Sequence, residues 1–386
     1  MLSQLRMDVY SLNLRHLRAI VEINRCGSIS GAASAVNLTQ PAITQALARL
    51  EGVLGQALFL RRADGMTASA AADLFVPRAE AALEQIASTR VTMAQLRALV
   101  AIADAGSYAG ASLTTGLSQP SLHRAVGDLA LALRRELVVR RGKGIALTDA
   151  GRALARRFRL AIAELSAALS ELEALQGRET GRIAIGAMPL SRARLLPSSV
   201  SAFHRAYPEV SISIVEGAFH ELVEPLRDGA LDCIIGAMRD PSPGPDLKQT
   251  ALFDDRPAVI ARHDHPLQTS DIASLARYPW SVPPPGTPLR DQWERMFADA
   301  GIAPPHVPIE CGSVITIRQI LIDSDFLTLL SPDQVAVELE AGWLRCICDV
   351  PPGLIRRIGM TTRANWRPTA RQASFIALLK EHAGSS

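Results

Sequence analysis

The chain has 386 residues, enough for roughly two to four domains, and 48% of them are apolar although only 4% are aromatic. Its 41 Lys+Arg nearly balance 38 Asp+Glu for a formal net charge of +3, which alone excludes neither nucleic acid nor any other partner. No run approaches the about 18 uninterrupted apolar residues of a membrane span, and the opening residues MLSQLRMDVYSLNL lack the apolar core and small-residue cleavage site of an export signal, so the expected location is the cytoplasm.

The small net charge is unevenly divided. Up to Gly181 there are 21 Lys+Arg against 15 Asp+Glu, or +6, and the remainder has 20 against 23, or −3. The front half therefore carries the field that a polyanion would feel. Cys26, Cys233, Cys311, Cys346 and Cys348 are odd in number and lack a framework of spacings, which reads as reduced thiols. Cys346 and Cys348, two apart in an apolar run, would share one face of a strand; buried packing is the expectation, with a metal or redox pair as the alternative.

The first predicted element is a helix with its apolar stripe on Leu14, Leu17, Ile20, Val21 and Ile23, ending near Cys26 and Gly27. Ser28 is a good N-cap for a short second helix, Ile29 to Val36, and Asn37-Leu38 makes the turn. Thr39 caps a third helix with Pro41 in its first turn, where a missing N–H costs nothing. Ile43, Leu47 and Leu50 then face inward and leave Gln40, Thr44 and Gln45 outward, as in a helix-turn-helix whose second element enters a major groove. Gln pairs with adenine, Thr with a thymine methyl or an acceptor, and Arg with guanine or phosphate. Leu58 to Arg62 followed by Asp64-Gly65 predicts a hairpin, a wing that offers Arg61 and Arg62 to the phosphate backbone. An Ala-rich three-helix packing domain with solvated Gln and Thr is the plain alternative.

That alternative weakens on a second observation. Shifted by 79 residues, His16 to Ala72 lies over Gln95 to Gly151 without a gap, with about 20 of 57 positions identical. LTQPAIT at Leu38 returns as LSQPSLH at Leu117. This is a duplicated domain. Copy two has Leu96, Leu99, Val100 and Ile102 for its first stripe, Ser107 as cap, and Ser118, Gln119 and Pro120 opening its third helix. Its outward set becomes Gln119, His123 and Arg124, and its wing carries Arg140, Arg141 and Lys143.

A long helix, about Arg152 to Gln176, follows with Leu154, Phe158, Ala161, Leu165, Leu169, Leu172 and Leu175 along one side. Such a stripe needs a partner, either a dimer seam or packing on its own chain. The counterpart in copy one, Leu74 to Ala87, is shorter and contains Pro77, which a long interior helix would resist. From Gly181 strands and helices alternate, the pattern of a parallel sheet with crossover helices. Predicted strands lie at Arg182 to Gly186, Val210 to Val215, Leu231 to Ile235, Arg256 to Arg262 and Ile355 to Thr361; helices lie at Ala193 to Tyr207, Glu221 to Gly229 and Thr369 to His382.

At these residues the chain resembles the LysR-type transcriptional regulators. The resemblance runs through Ser/Thr-Gln-Pro, the wing and the long helix, then Gly181-Arg182-Ile183, Leu196-Pro197, Phe203, Tyr207-Pro208, Gly229-Ala230-Leu231-Asp232 and His265-Pro266-Leu267. Pro283 to Pro288, Glu310 to Ser313 and Thr361 to Trp366 look like a branch with regulators of sugar-uptake and aromatic-acid genes. The resemblance implies an α+β multidomain chain: a first winged helix-turn-helix over 12–72, a short connecting helix over 73–90, a second head over 91–151, and a dimerising linker helix over 152–177. A two-lobed effector domain like a periplasmic binding protein would occupy 181–386, with lobe I about 181–253 plus 353–386 and lobe II about 254–352. The departure is the duplication, since the family has one head per chain. Copy one retains Arg49-Leu50-Glu51 and Leu58-Phe59, where copy two has Asp128-Leu129-Ala130 and Leu137-Val138.

The implied partners are double-stranded DNA, a small-molecule effector, other copies of the chain in a homodimer or homotetramer, and RNA polymerase indirectly. No cofactor is expected. DNA contacts fall on Ser28, Thr39, Gln40, Pro41, Thr44, Gln45, Arg49, Arg61 and Arg62, and on Ser107, Ser118, Gln119, Pro120, His123, Arg124, Arg140, Arg141 and Lys143. The family's cleft positions point to Leu190, Ser191, Ala218, Phe219, Thr287, Ser313 and Val314. Hydroxyls and free N–H groups at helix starts would seat a carboxylate, or would merely cap their helices. An enzyme would need a nucleophile and base or a ligand cluster, and only His263-Asp264-His265 tempts. A solute-binding protein and a thiol-based redox sensor of the same architecture are the remaining alternatives.

Overall fold

The computed structural model describes residues 8–62, 65–142, 144–178, 180–267, 270–349 and 355–384. It divides into two units, one ending at Gly181 and taking in Asp228–Ala230, the other formed by Arg182–Arg227 and the chain from Leu231 onward.

In the first unit, α1 (Leu14–Cys26) starts on the Asn13 side chain and ends at Gly27. Ser28 Oγ accepts from Gly31 N to open α2 (Ile29–Ala35), Asn37 turns the chain at a φ of 54°, and Thr39 caps α3 (Gln40–Leu54). Ile43, Leu47, Leu50 and Leu54 are buried against α1 and α2. The hairpin pairs β1 (Phe59–Arg62) antiparallel with β2 (Gly65–Ala68). Glu51 fastens it to α3, accepting from Leu58 N at 2.7 Å and Phe59 N at 3.3 Å. Gly65 is required by its φ of +145° and by a close approach: a Cβ there would lie 2.5 Å from the Gly27 carbonyl oxygen.

Next comes α4 (Ala70–Ile86), capped by Ser69. The same set then repeats as α5 (Met93–Ala105), α6 (Tyr108–Thr115), α7 (Gln119–Leu133), β3 (Val138–Arg141) and β4 (Gly144–Leu147), with Ser107 and Ser118 as caps. α8 (Asp149–Leu175) follows, capped by Thr148. A single apolar core runs through both copies, from Leu12 to Leu172.

One expectation is extended and another corrected here. α4 is shorter than α8 and contains Pro77, as expected, but it starts at Ala70, ahead of the expected Leu74; Pro77 sits on its exposed face, where the ring meets less packing than it would in the core. The stripe on α8 is not left for a second chain. Phe158, Ala161, Leu165, Leu169 and Leu172 are buried within this one, chiefly against α4, whereas Leu154 is half-buried and Leu175 is 48% exposed. The Arg78 guanidinium of α4 crosses to α8 and donates to Glu171 at 2.7 and 3.0 Å and to Glu164 at 3.3 Å.

The second unit opens with β5 (Arg182–Ala187), a 3-10 turn at Pro189–Arg192, α9 (Leu195–Ala206), β6 (Ser211–Glu216), α10 (Phe219–Arg227) and β7 (Cys233–Ala237). β8 (Leu247–Asp255) and β9 (Ala258–Arg262) carry the chain into a second sheet. There α11 (Ile272–Leu275), β10 (Ser281–Val282), α12 (Pro288–Asp299), β11 (Ile309–Glu310), α13 (Val314–Ile322), β12 (Thr328–Leu330), α14 (Ala336–Glu340) and β13 (Leu344–Asp349) follow. β14 (Arg356–Arg363) returns to the first sheet and α15 (Ala370–Gly384) covers it.

The first sheet has the order β6-β5-β7-β14-β8 and the second β12-β9-β13. Within these two sheets only β6, β5 and β7 are mutually parallel, being joined by helical crossovers. β14 is antiparallel to both β7 and β8, and β9 is antiparallel to both its neighbours. The expected all-parallel sheet is therefore mixed, because β8 and β14 are the two strands by which the chain leaves for the second sheet and comes back. Phe203 meets Phe375 edge-on in the first core, and Trp280, Trp293 and Phe297 pack edge-to-face in the second. The cysteine expectation also fails. A bulge in β13 sets Cys346 opposite Ile260 but Cys348 opposite its neighbour Val259, so the two thiols take opposite faces, and Cys346 is exposed while Cys348 is half-buried.

Candidate functional site

The third helix of each copy offers one face to solvent. On α3, Gln40, Pro41, Thr44, Gln45 and Arg49 are all exposed while Ile43 and Leu47 anchor the other side. Thr39 accepts from Ala42 N, and the Thr44 hydroxyl donates to the Gln40 carbonyl at 3.0 Å. That bond commits the hydroxyl proton to the helix and leaves the oxygen able to accept. On α7, Gln119, Pro120, His123 and Arg124 are exposed. Ser118 accepts from Ser121 N, and His123 rests 5.3 Å from the Tyr108 ring at the start of α6. Ser28 and Ser107 hold the starts of α2 and α6, accepting from Gly31 N and Gly110 N.

The hairpins extend each face. Arg61 and Arg62 stand opposite Met66 and Gly65, and Arg140 and Arg141 opposite Ile145 and Gly144. All four are exposed, and their side chains make no hydrogen bond or ion pair among the described residues. Lys143 lies outside the described residues. Each copy thus brings exposed polar groups at a helix N-terminus together with uncommitted guanidinium groups, a combination suited to base edges flanked by phosphates.

In the second unit the effector candidates divide. Leu190 and Ser191 are buried, and the Ser191 hydroxyl donates to the Met188 carbonyl at 2.8 Å. Ser313 caps α13 and also accepts from the Thr316 hydroxyl; Val314 packs on the second core. Thr287 caps α12 and donates to the Pro284 carbonyl. Ala218 N donates to Glu221 at 2.7 Å. A residue that motif reading missed lies against one of these positions, Phe219. The Arg239 guanidinium lies 4.9 Å over the Phe219 ring and is attracted by Asp291 in the first turn of α12. Burial lowers its pKa from the ordinary value and Asp291 partly opposes that. Its Nε is buried with no hydrogen-bond partner among the described residues. The Arg239 backbone is held apart from its side chain, since its N–H donates to the Gln249 carboxamide and its carbonyl accepts from it. A short sequence signal existed only in the arginine's place just after a buried strand.

The tempting histidine cluster is structural. His265 is 3% exposed; Leu267 N donates to its Nδ1 and its Nε2 faces the Asp325 carbonyl at 3.1 Å. Asp264 pairs with Arg262 at 2.7 Å. Among the described residues no group of His, Cys, Asp and Glu is arranged to hold a metal ion, and no helix is long and apolar enough to cross a membrane. Cys233 is buried, and that burial pushes its thiol pKa far up, opposite to the direction of a reactive thiolate.

Comparison with known proteins bears on both units. The model of the bacterial regulatory helix-turn-helix protein, lysR family, matches twice, at residues 14–73 and 93–152, and that of the LysR substrate binding domain matches residues 176–384. The HTH-type transcriptional regulator GalR of Pseudomonas putida is 29% identical over 97% of this chain and 98% of its own. The SDS degradation transcriptional activation protein of a Pseudomonas species is 30% identical over 70% of this chain and 89% of its own. Among solved structures, a full-length OxyR variant from Pseudomonas aeruginosa superimposes with a TM-score of 0.57 at 24% identity, covering 77% of this chain and 95% of that one. CbnR, a LysR family transcriptional regulator, gives 0.53 at 20% identity, covering 75% and 98%. Both solved chains are thus used almost end to end while about a quarter of this one has no counterpart in them. With one family model on each copy of the helix-turn-helix and another across the α/β unit, the chain belongs to the LysR family of bacterial transcriptional regulators.

Proposed function

We propose that this regulator grips promoter DNA through two tandem winged helix-turn-helix heads and answers to a small acid held between the two sheets of its α/β unit. The supporting observation is the doubled face: α3 and α7 each present polar groups at an exposed N-terminal turn beside paired wing arginines that no intramolecular partner engages among the described residues. Gln40, Thr44, Gln45 and Arg49 would meet one set of bases and phosphates, Gln119, His123 and Arg124 another. Homo-oligomers would form through surfaces other than the covered stripe of α8, and RNA polymerase would be reached indirectly, by way of the bound promoter.

For the ligand, Arg239 supplies a fixed cation with a buried, unanswered N–H beside the Phe219 ring. That pairing suits a carboxylate on a compact organic, aromatic or sugar-derived acid. Ala218, next to Phe219, and Thr287, which caps the helix that carries Asp291, would lie on one flank of the acid, and Ser313 and Val314 on a second. The test is retardation of a duplex from the protein's own promoter across salt concentrations. Each phosphate-bound wing arginine adds about 0.9 to the slope of log affinity against log salt, so Arg62→Ala should flatten the slope by roughly that amount at every sequence. Absent or salt-insensitive binding by the purified chain would refute the reading.

A further inference from the structure

The duplication has a geometric companion inside the first unit. α4 and α8 are counterparts under the 79-residue offset, each following the hairpin of its own copy and each capped by a hydroxyl, Ser69 or Thr148. They pack on each other in opposite directions. Arg78, midway along α4, donates to Glu164 and Glu171 in the C-terminal half of α8. Arg157, nearer the start of α8, donates to the Glu84 carbonyl near the end of α4 at 3.0 Å. Gln56, which precedes α4, donates to the Leu172 carbonyl at 2.9 Å. Rising numbers on one helix meet falling numbers on the other.

Arg78 and Arg157 are themselves counterparts under the offset. Two equivalent antiparallel helices whose equivalent arginines each reach across to the opposite helix possess a local two-fold axis. The register of these contacts carries that axis past Ala82 and Ala161, again counterparts, both 0% exposed. The symmetry is approximate because Glu164 and Glu171 correspond to Gln85 and Thr92, so Arg157 finds a backbone carbonyl where Arg78 finds carboxylates.

We propose that a single chain is an internal pseudo-dimer: α4 occupies on α8 the place that a second chain's trailing helix would take, and the pseudo-dyad relates α3 to α7. One chain then presents two recognition helices to one duplex, in inverted orientation. The operator element it reads comprises two half-sites separated by a whole number of helical turns. The half-sites are unlike, because Thr44 and Gln45 on one helix are replaced by His123 and Arg124 on the other. The helix pairing stands without the DNA reading; the two-half-site operator rests on it.

The test uses the full chain. With Ala82→Cys and Ala161→Cys, mild oxidation should link the two positions, found by peptide mass mapping, in a species of one-chain mass whose yield does not depend on protein concentration. A link between chains would mean a swapped arrangement, and no link would mean the helices do not cross there; either result overturns the proposal. Glu84→Cys with Arg157→Cys, at the more exposed end of the same contact, gives the same readout should the buried pair fail to fold. In a second arm, duplexes selected from a randomised pool by the unaltered protein are footprinted with two double variants, Thr44→Ala with Gln45→Ala and His123→Ala with Arg124→Ala. Each should lose about tenfold in affinity through one half-site only. Both variants relaxing the same bases, or one relaxing none, overturns the two-half-site operator even when the cross-link is intramolecular. Failure of the unaltered protein to bind DNA would count against the regulator reading instead and leave the cross-link result in force.

Discussion

Replacing Arg78 by Met tests whether copy one is bolted to the long helix. The side chain is 7% exposed and donates to Glu171 through both Nε and Nη2, with Nη1 on Glu164. Burial alone would depress the guanidinium's pKa, but the bonds and charge of Glu171 and Glu164 outweigh it and hold it above the ordinary value. Removing one partner of a buried pair costs about 3–5 kcal/mol when the other is left sealed in. Here Glu164 and Glu171 keep 21% and 13% of their side-chain exposure and can partly rehydrate, so a loss of about 2–3 kcal/mol is expected. All four tryptophans lie beyond Gly181, which separates the units optically. Urea unfolding followed by far-UV circular dichroism should shift to lower midpoint, while the tryptophan fluorescence transition stays in place. Adding Glu164→Gln and Glu171→Gln removes the stranded charges and should restore at least half of the loss. An Arg78→Met change costing less than about 0.5 kcal/mol, the scale of an exposed pair, or no recovery in the triple variant, would refute the account.

Three further outcomes follow from single positions. Gly65→Ala should destabilise the first unit by about 1–3 kcal/mol, since it strains the backbone and drives a Cβ to 2.5 Å from the Gly27 oxygen; its counterpart Gly144→Ala, with nothing nearer than 3.9 Å, should stay within about 0.5 kcal/mol by the same urea assay. Arg239→Gln should leave both unfolding transitions unmoved, because Gln249 holds the backbone, yet abolish the thermal stabilisation that the proposed site predicts for a carboxylic acid added to the unaltered protein; no stabilisation of the unaltered protein, or an undiminished response in the variant, would remove Arg239 from the site. Cys233, whose raised pKa keeps the thiol protonated through neutral and mildly alkaline pH, should resist iodoacetamide in the native protein while exposed Cys26 reacts, and rapid native labelling of Cys233 would contradict its burial.

What the sequence made legible is what is local. Ser28, Thr39 and Ser118 cap where capping chemistry says they should, and Asn37 takes the positive φ that its side chain tolerates. The second copy was visible because whole elements repeat at one offset. Features decided by distant partners were not legible. β8 gives no clean alternation in LKQTALFDD because it is the edge strand beyond β14. The stripe on α8 announced that something covers it, and nothing in periodicity distinguishes a second chain from α4. Arg239 has no motif at all: its character comes from Phe219 and Asp291, which only the fold brings near. The β13 bulge, one extra residue at Ile347, was enough to undo the reading of Cys346 and Cys348 as one face.

The two heads are unequal in a way that charge does not describe. Residues 12–72 carry six Arg against three Asp+Glu, and residues 91–151 carry seven Lys+Arg against four, so each head is +3. Their long-range attraction for phosphate is matched, and any difference must come from the short-range groups. Copy one fastens its wing through Glu51, where copy two has Ala130, and has Thr44 and Ile29 at the positions where copy two leans His123 on Tyr108. On the DNA-binding reading proposed above, Arg124 is the residue whose contact decides what the second head does. An arginine bonded to a guanine edge discriminates among sequences without adding to the phosphate count; one bonded to phosphate does the reverse. Arg124→Ala should thus lower affinity for the selected operator by roughly 1–3 kcal/mol and leave the salt slope unchanged. A slope flatter by about 0.9, with equal losses on every duplex, would instead make the second head a grip on the backbone, with base reading confined to the first.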